Sequence, residues 1–350
     1  MRSSKKLLAL FLTATSLVGL TACGDDDPIG PNVFAREIGV VVTSTDVTLT
    51  FFDVEDPSQS EAVGLGADGS PVTVALRGRY AAVPMGTAPA VAVVDLRDGV
   101  LARTVGLPEG SGASGVAFIN DSIALVANSN LNTVTPVNVW AGTAGEQVEV
   151  GRFPQGIIVH DGKAYVINGE LESFSPDGAS TLTVIDVSTL DVLDTIELSG
   201  QNASAGVAGP DGLLYVIQSG WYGVDDGVLS VVDPGSGTEV GAHEGFGSPG
   251  SIAIDDDGTV YVGAFGVGVL VWESGSETFV HGPENPVTPG GVASTSGIGI
   301  DSDGRIYTLT PDCQDPAVAH RLDNNLESEE EIPVGICPFA IGFTEVEGDG

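Results

Sequence analysis

The stretch GIIVHDGKAYVIN, residues 156–168, is two short apolar runs hinged on Asp161-Gly162. Asp-Gly tolerates the positive φ of a tight hairpin, so the stretch predicts two antiparallel strands. The phrase recurs along the chain. Gly162, Gly212, Gly258 and Gly304 are each preceded by aspartate and followed three residues later by Tyr165, Tyr215, Tyr261 and Tyr307. Gly78 and Tyr80 repeat it one residue tighter. Five of the six tyrosines thus share one phase of a repeat, which chance does not produce, and the four from Tyr165 to Tyr307 are spaced by 46 to 50 residues.

A second hairpin follows in each unit. Thr181–Asp186 turns into Val192–Leu198, and Val91–Asp95 turns at Arg97-Asp98-Gly99 into Val100–Val105. Each unit therefore reads as four short antiparallel strands, A to D. Four-stranded units of this period are β-propeller blades, which bury their faces by stacking around an axis. The expected fold is all-β, a seven-bladed propeller. Blades two to seven are expected at 70–107, 113–151, 154–198, 203–243, 248–285 and 292–335. Blade one holds only three strands in 37–66, and PFAIGF at 338–343 has strand-A character without a partner of its own. That C-terminal strand is expected to complete blade one and close the ring, which removes an exposed sheet edge. A malformed blade one would leave a six-bladed ring instead.

VGRFPQGI (150–157), HDGKAYVIN (160–168) and VIDVSTLDV (184–192) read in order like the repeat of YVTN-type β-propellers of the YncE-like kind. The likeness is clearest in blade four and extends over nearly all of the chain after residue 22. Blade three departs from it, with Ala124 in place of tyrosine and Asn120-Asp121 in place of Asp-Gly. The resemblance implies a binding or scaffold protein and specifies no ligand.

The N-terminus reads as an address. Arg2, Lys5 and Lys6 precede 14 uncharged residues, Leu7 to Leu20, too few to span a bilayer but right for a signal peptide. Leu20-Thr21-Ala22-Cys23 then resembles the lipobox of bacterial lipoproteins, which implies cleavage and acylation of Cys23. An ordinary secretory peptide with an incidental cysteine is the alternative. The expected division is a signal peptide at 1–22, a lipidated acidic tether at 23–36, the propeller at 37–347 and a tail at 348–350. Gly24 rather than Asp follows the cysteine, so the expected destination is the outer membrane, periplasm-facing or surface-exposed.

The net charge is −36, and removal of the leader leaves 9 basic against 48 acidic residues, a net of −39. Such a surface repels nucleic acid and anionic headgroups. The expected partners are the membrane, through the lipid, and a protein or carbohydrate; the chain is expected to act as a monomer. No cofactor is predicted, although a divalent cation such as calcium or magnesium would be attracted by the acidic surface.

In a propeller, the B–C and D–A connections share one face around the channel, and the A–B and C–D turns share the other. The long insertions here are B–C loops at 169–180, 220–226 and 311–317, so a localised function is expected on the first face. Trp221, Tyr222, Asp225, Asp226 and Phe174, with Phe153 nearby, are the candidate binding residues; aromatics are enriched at recognition patches. His243 and Glu244, with His281 and Glu284, are placed on adjacent D–A loops. Two imidazoles and two carboxylates are the groups that bind a divalent cation or move protons. They define the alternative function, a metal-dependent lyase or lactonase, beside the leading one of a non-catalytic binding module. Cys313 and Cys337 fall on neighbouring loops of the same face and are expected to form a disulfide.

Two motifs mislead. GSGASG (110–115) and GFGSPG (245–250) match the dinucleotide fingerprint but precede strands, not helices. DDDG (255–258) and DSDG (301–304) resemble calcium-loop fragments but occupy hairpin turns. His160 and His320 are read as structural, the first in an A–B turn and the second in strand C of blade seven.

Overall fold

The computed structural model describes residues 35–66 and 68–347; the leader, Cys23 and the tail lie outside the described residues. The described chain forms seven antiparallel blades in a ring, with one three-residue 3₁₀ turn, Pro289–Gly291, as its only helical element. The strand order in each blade is A-B-C-D from the axis outward.

Burial follows that order. Strands B and C are sandwiched between neighbouring blades and are almost wholly buried, as in Lys163–Asn168 and Thr181–Asp186 of blade four. A strand buried on both faces reads as a continuous apolar run rather than an alternation. Strand D lies outside and alternates, as in Val100–Gly106 of blade two.

The innermost strands approach too closely for side chains at some positions. A Cβ on Gly115 would lie 2.5 Å from the Gln155 carbonyl oxygen, and one on Gly297 would lie 2.7 Å from that of Phe339. Glycine there is a steric requirement of the ring. Hydroxyls then join blade to blade: Ser114 Oγ and Ser129 Oγ donate to the Pro154 carbonyl at 2.9 and 2.7 Å, and Ser296 Oγ donates to that of Pro338 at 2.6 Å.

The C-terminal strand, Pro338–Glu347, is strand A of blade one. It pairs along its length with strand B, Ala35–Thr43, from Ala35↔Glu347 to Thr43↔Pro338. Blade seven grips this seam. The Glu37 carboxylate accepts from Ser302 N and Oγ at 2.9 and 2.6 Å, and Arg305 meets Glu55 at 2.8 Å. The disulfide forms as expected between Cys313 and Cys337, with Cα atoms 4.2 Å apart.

Blade three departs from four regular strands. Its strand D is split into Thr143–Ala144 and Val148–Glu149. Pro136 in strand C explains the break. Its carbonyl accepts from Gly145 N at 2.8 Å, so its missing N–H faces strand D at the same point.

The repeated aspartates are turn caps. Asp255 accepts the N–H groups of Asp257 and Thr259 and the Tyr261 hydroxyl; Asp301 does the same for Asp303, Arg305 and Tyr307. At the C–D turns, Asp95, Asp186, Asp233 and Asp323 each accept backbone N–H groups. The Ser188 hydroxyl, with these backbone groups, holds the Asp186 carboxyl below its usual range, and backbone N–H groups foremost do so for Asp233 and Asp323. The calcium-loop look of residues 255–258 and 301–304 is thus the signature of capped hairpins.

Candidate functional site

Six of the A strands, with residues 72–74 leading into that of blade two, line a central cavity of about 240 Å³, whose polar lining includes Thr73, Gln155, Ser204 and Ser251. The long B–C loops of blades four and five lie on the B–C/D–A face, and none of their residues lines this cavity.

The blade-four loop is a small hairpin, Leu171–Glu172 paired with Ser175–Pro176. Arg152 clamps both of its ends. The guanidinium contacts Glu170 Oε2 at 3.2 Å and Asp177 Oδ2 at 2.8 Å, and donates to the Asp177 carbonyl at 2.6 Å. Hydrogen bonds to Asp177 and Glu170 raise the Arg152 pKa and keep it charged. Glu170 is held in turn by the Thr181 hydroxyl at 2.7 Å. Phe174, at the hairpin tip, is 78% exposed and meets Phe153 edge-on at 5.4 Å.

The blade-five loop is a single fixed turn. Val224 N and Asp225 N both donate to the Trp221 carbonyl, and the Asp225 carboxylate returns to Trp221 N at 2.8 Å. Gly220 makes the entry with φ +57, and a Cβ there would lie 2.7 Å from that of Asp225. Asp226 ties the loop to blade six by accepting from Gly247 N at 3.0 Å. Asp225 and Asp226 therefore act inside the loop as supports. Trp221 and Tyr222 are left 49% and 64% exposed, and Tyr222 meets Phe265 of blade six edge-on at 6.1 Å. The turn thus holds two half-exposed rings in fixed positions.

The four acid–base candidates are not gathered. His243 and Glu244 are the last residues of strand D in blade five, Thr238–Glu244, rather than D–A loop residues. The ladder runs longer than expected because Leu229↔His243 and Val228↔Glu244 still pair. The His243 ring packs against Trp272 of blade six at 4.9 Å with Nε2 buried and unpartnered, and Glu244 is exposed. His281 ends strand D of blade six, and its Nδ1 lies 3.2 Å from the Asn285 carbonyl oxygen. Glu284 stands exposed in the turn that follows. Among the described residues, no group of three or more His, Cys, Asp or Glu side chains is placed to hold a metal ion. His160 ends strand A of blade four beside Asp161 at 3.5 Å, one residue before the turn. His320 is buried in strand C of blade seven, bonded to Ser328 Oγ at 2.9 Å, and burial lowers its pKa.

Two features escaped the sequence. Phe265 sits in a B–C turn of only three residues, short enough to pass as a bare connector, yet it occupies the blade-six position equivalent to the Trp221 loop. The other is a series of buried amides that end strand B in blades three, four and five. Asn128 and Asn168 each donate to two threonine hydroxyls of strand C, and Gln218 donates to Ser230 Oγ. Comparison of the blades at that one position would have found it.

No protein-family model matches the chain, and no curated protein matches it. Solved structures do. Hydrazine synthase of Kuenenia stuttgartiensis is similar with a TM-score of 0.64 at 16% identity, over 78% of this chain and 89% of that one. A functionally unknown protein from Desulfotomaculum acetoxidans is similar with a TM-score of 0.65 at 16% identity, over 89% of this chain and 99% of that one. At that identity the likeness establishes the seven-bladed fold alone.

Proposed function

We propose that the protein is a non-catalytic binding module of the cell envelope, anchored through lipid on Cys23, that takes a neutral saccharide on its B–C/D–A face. The exposed Trp221 and Tyr222 rings on a turn fixed by Asp225 and Asp226 carry this reading. Flat exposed rings stack on the apolar faces of sugar rings, and a chain of net charge −36 disfavours an anionic ligand. Phe174 on its clamped hairpin adds a further exposed ring to that face. The resemblance of residues 150–192 to YVTN-type repeats and the lipobox-like run ending at Cys23 support the binding role and the envelope address.

The lyase or lactonase alternative draws no support from the geometry, because His243 faces Trp272 and Glu244 and Glu284 face solvent. Titration with neutral oligosaccharides, read by tryptophan fluorescence, tests the proposal. Binding that Trp221→Ala abolishes without loss of fold supports it. Equal binding by that variant, or stoichiometric divalent metal lost on His243→Ala, overturns it.

A further inference from the structure

The fold separates the point where the chain enters the propeller from the aromatic rim. Strand A of blade one runs from the D–A side to the A–B side and ends at Glu347; strand B returns from Ala35, its partner. Ala35 therefore lies on the A–B/C–D face. Phe174, Trp221 and Tyr222 lie on B–C loops, on the opposite face.

We propose that the anchored protein turns its aromatic rim away from the membrane that holds Cys23, so that the ligand is met from the aqueous side. This rests on the lipid-anchor reading above.

Chain length supports that orientation. Cys23 and Ala35 are 12 residues apart, so the tether reaches at most ~40 Å. To lay the rim on the same bilayer, the chain would have to cross strands C and D of blade one and then climb the blade. Two strand spacings and a nine-residue strand come to roughly 40 Å. Only a fully taut tether would allow it, with the loss of nearly all its conformational freedom. The opposite orientation asks nothing of the tether.

The competing use of exposed Trp and Tyr, insertion at a membrane interface, needs the rim-down arrangement.

The test uses the full-length acylated protein in vesicles of phosphatidylethanolamine and phosphatidylglycerol with a headgroup energy-transfer acceptor. One donor is placed by Ser276→Cys, in the exposed C–D turn of blade six, and the other by Val224→Cys, at the rim. The expected result is a greater loss of donor emission at Ser276→Cys than at Val224→Cys. Equal loss, or greater loss at Val224→Cys, overturns the proposal. Intact mass of the extracted protein tests acylation separately. The same pair on a chain from Gly24, tethered by an N-terminal histidine tag to nickel-chelating lipid, reads the geometry even where Cys23 carries no lipid.

Discussion

The Tyr307 hydroxyl donates to Asp301 Oδ2 at 3.1 Å, across a turn that the same carboxylate caps through two backbone N–H groups. Tyr261 and Asp255 repeat the contact at 3.2 Å, and Tyr215 and Asp211 at 2.7 Å. This accounts for tyrosine at three of the five phased positions. Each of these three rings is buried in strand B, and its hydroxyl meets an aspartate of the A–B turn.

Asp301 carries the most of this load, because it also holds Arg305 Nε at 2.6 Å with its own side chain wholly buried. Asp301→Ala is expected to lower stability by about 3 kcal/mol, since it strands buried donors. Tyr307→Phe, which removes one hydrogen bond, is expected to cost about 1 kcal/mol. Urea unfolding measures both. Equal and small effects would show that the turn, not the carboxylate, organises the hairpin.

The tyrosines also set an alkaline limit. Burial, with the neighbouring aspartates, pushes Tyr215 and Tyr261 up to about 12 and raises Tyr165 and Tyr307. A raised pKa favours the neutral phenol in the folded state. Its stabilisation is therefore complete below the usual value of 10.0 and is lost as pH rises towards 12. Phenolate absorbance from these four rings should appear together with loss of near-ultraviolet circular dichroism. In a variant with Tyr80→Phe and Tyr222→Phe, which leaves only these four rings, phenolate formed at pH 10 in a still-folded protein would contradict this.

The disulfide joins the blade-seven B–C loop to the residue before the closing strand, across a sequence separation of 24. Its removal by Cys313→Ser with Cys337→Ser is expected to lower stability by about 3 kcal/mol through the unfolded chain. The nine paired residues between Ala35–Thr43 and Pro338–Glu347 should keep the ring closed, so circular dichroism of the folded variant should match the parent.

Blade count, strand order and closure were legible because a repeat states the same turn chemistry several times. The C-terminal strand stood out because residues 338–343 had no partner in blade seven. The split in blade three was legible in principle from Pro136, a residue that cannot donate to strand D. The site was legible only as a set of loops. Insertion length pointed to Trp221 and Phe174, but where a strand ends depends on its neighbour, and the Leu229↔His243 pairing drew a candidate loop residue into a ladder. That Asp225 and Asp226 support the loop rather than face a ligand depends on which backbone N–H each meets, and composition does not record that.

The central claim is that the Trp221 and Tyr222 rings form a stacking surface on a preorganised loop. The most direct test is titration of the parent and of the Trp221→Ala, Tyr222→Ala double variant with a panel of neutral oligosaccharides, beside melting curves of both. The predicted result is saturable binding by the parent, at least tenfold weaker in the double variant by roughly 1.4 kcal/mol or more, with the same melting temperature. Unchanged affinity in a folded double variant, or no binding of any member of the panel by the parent, would contradict it.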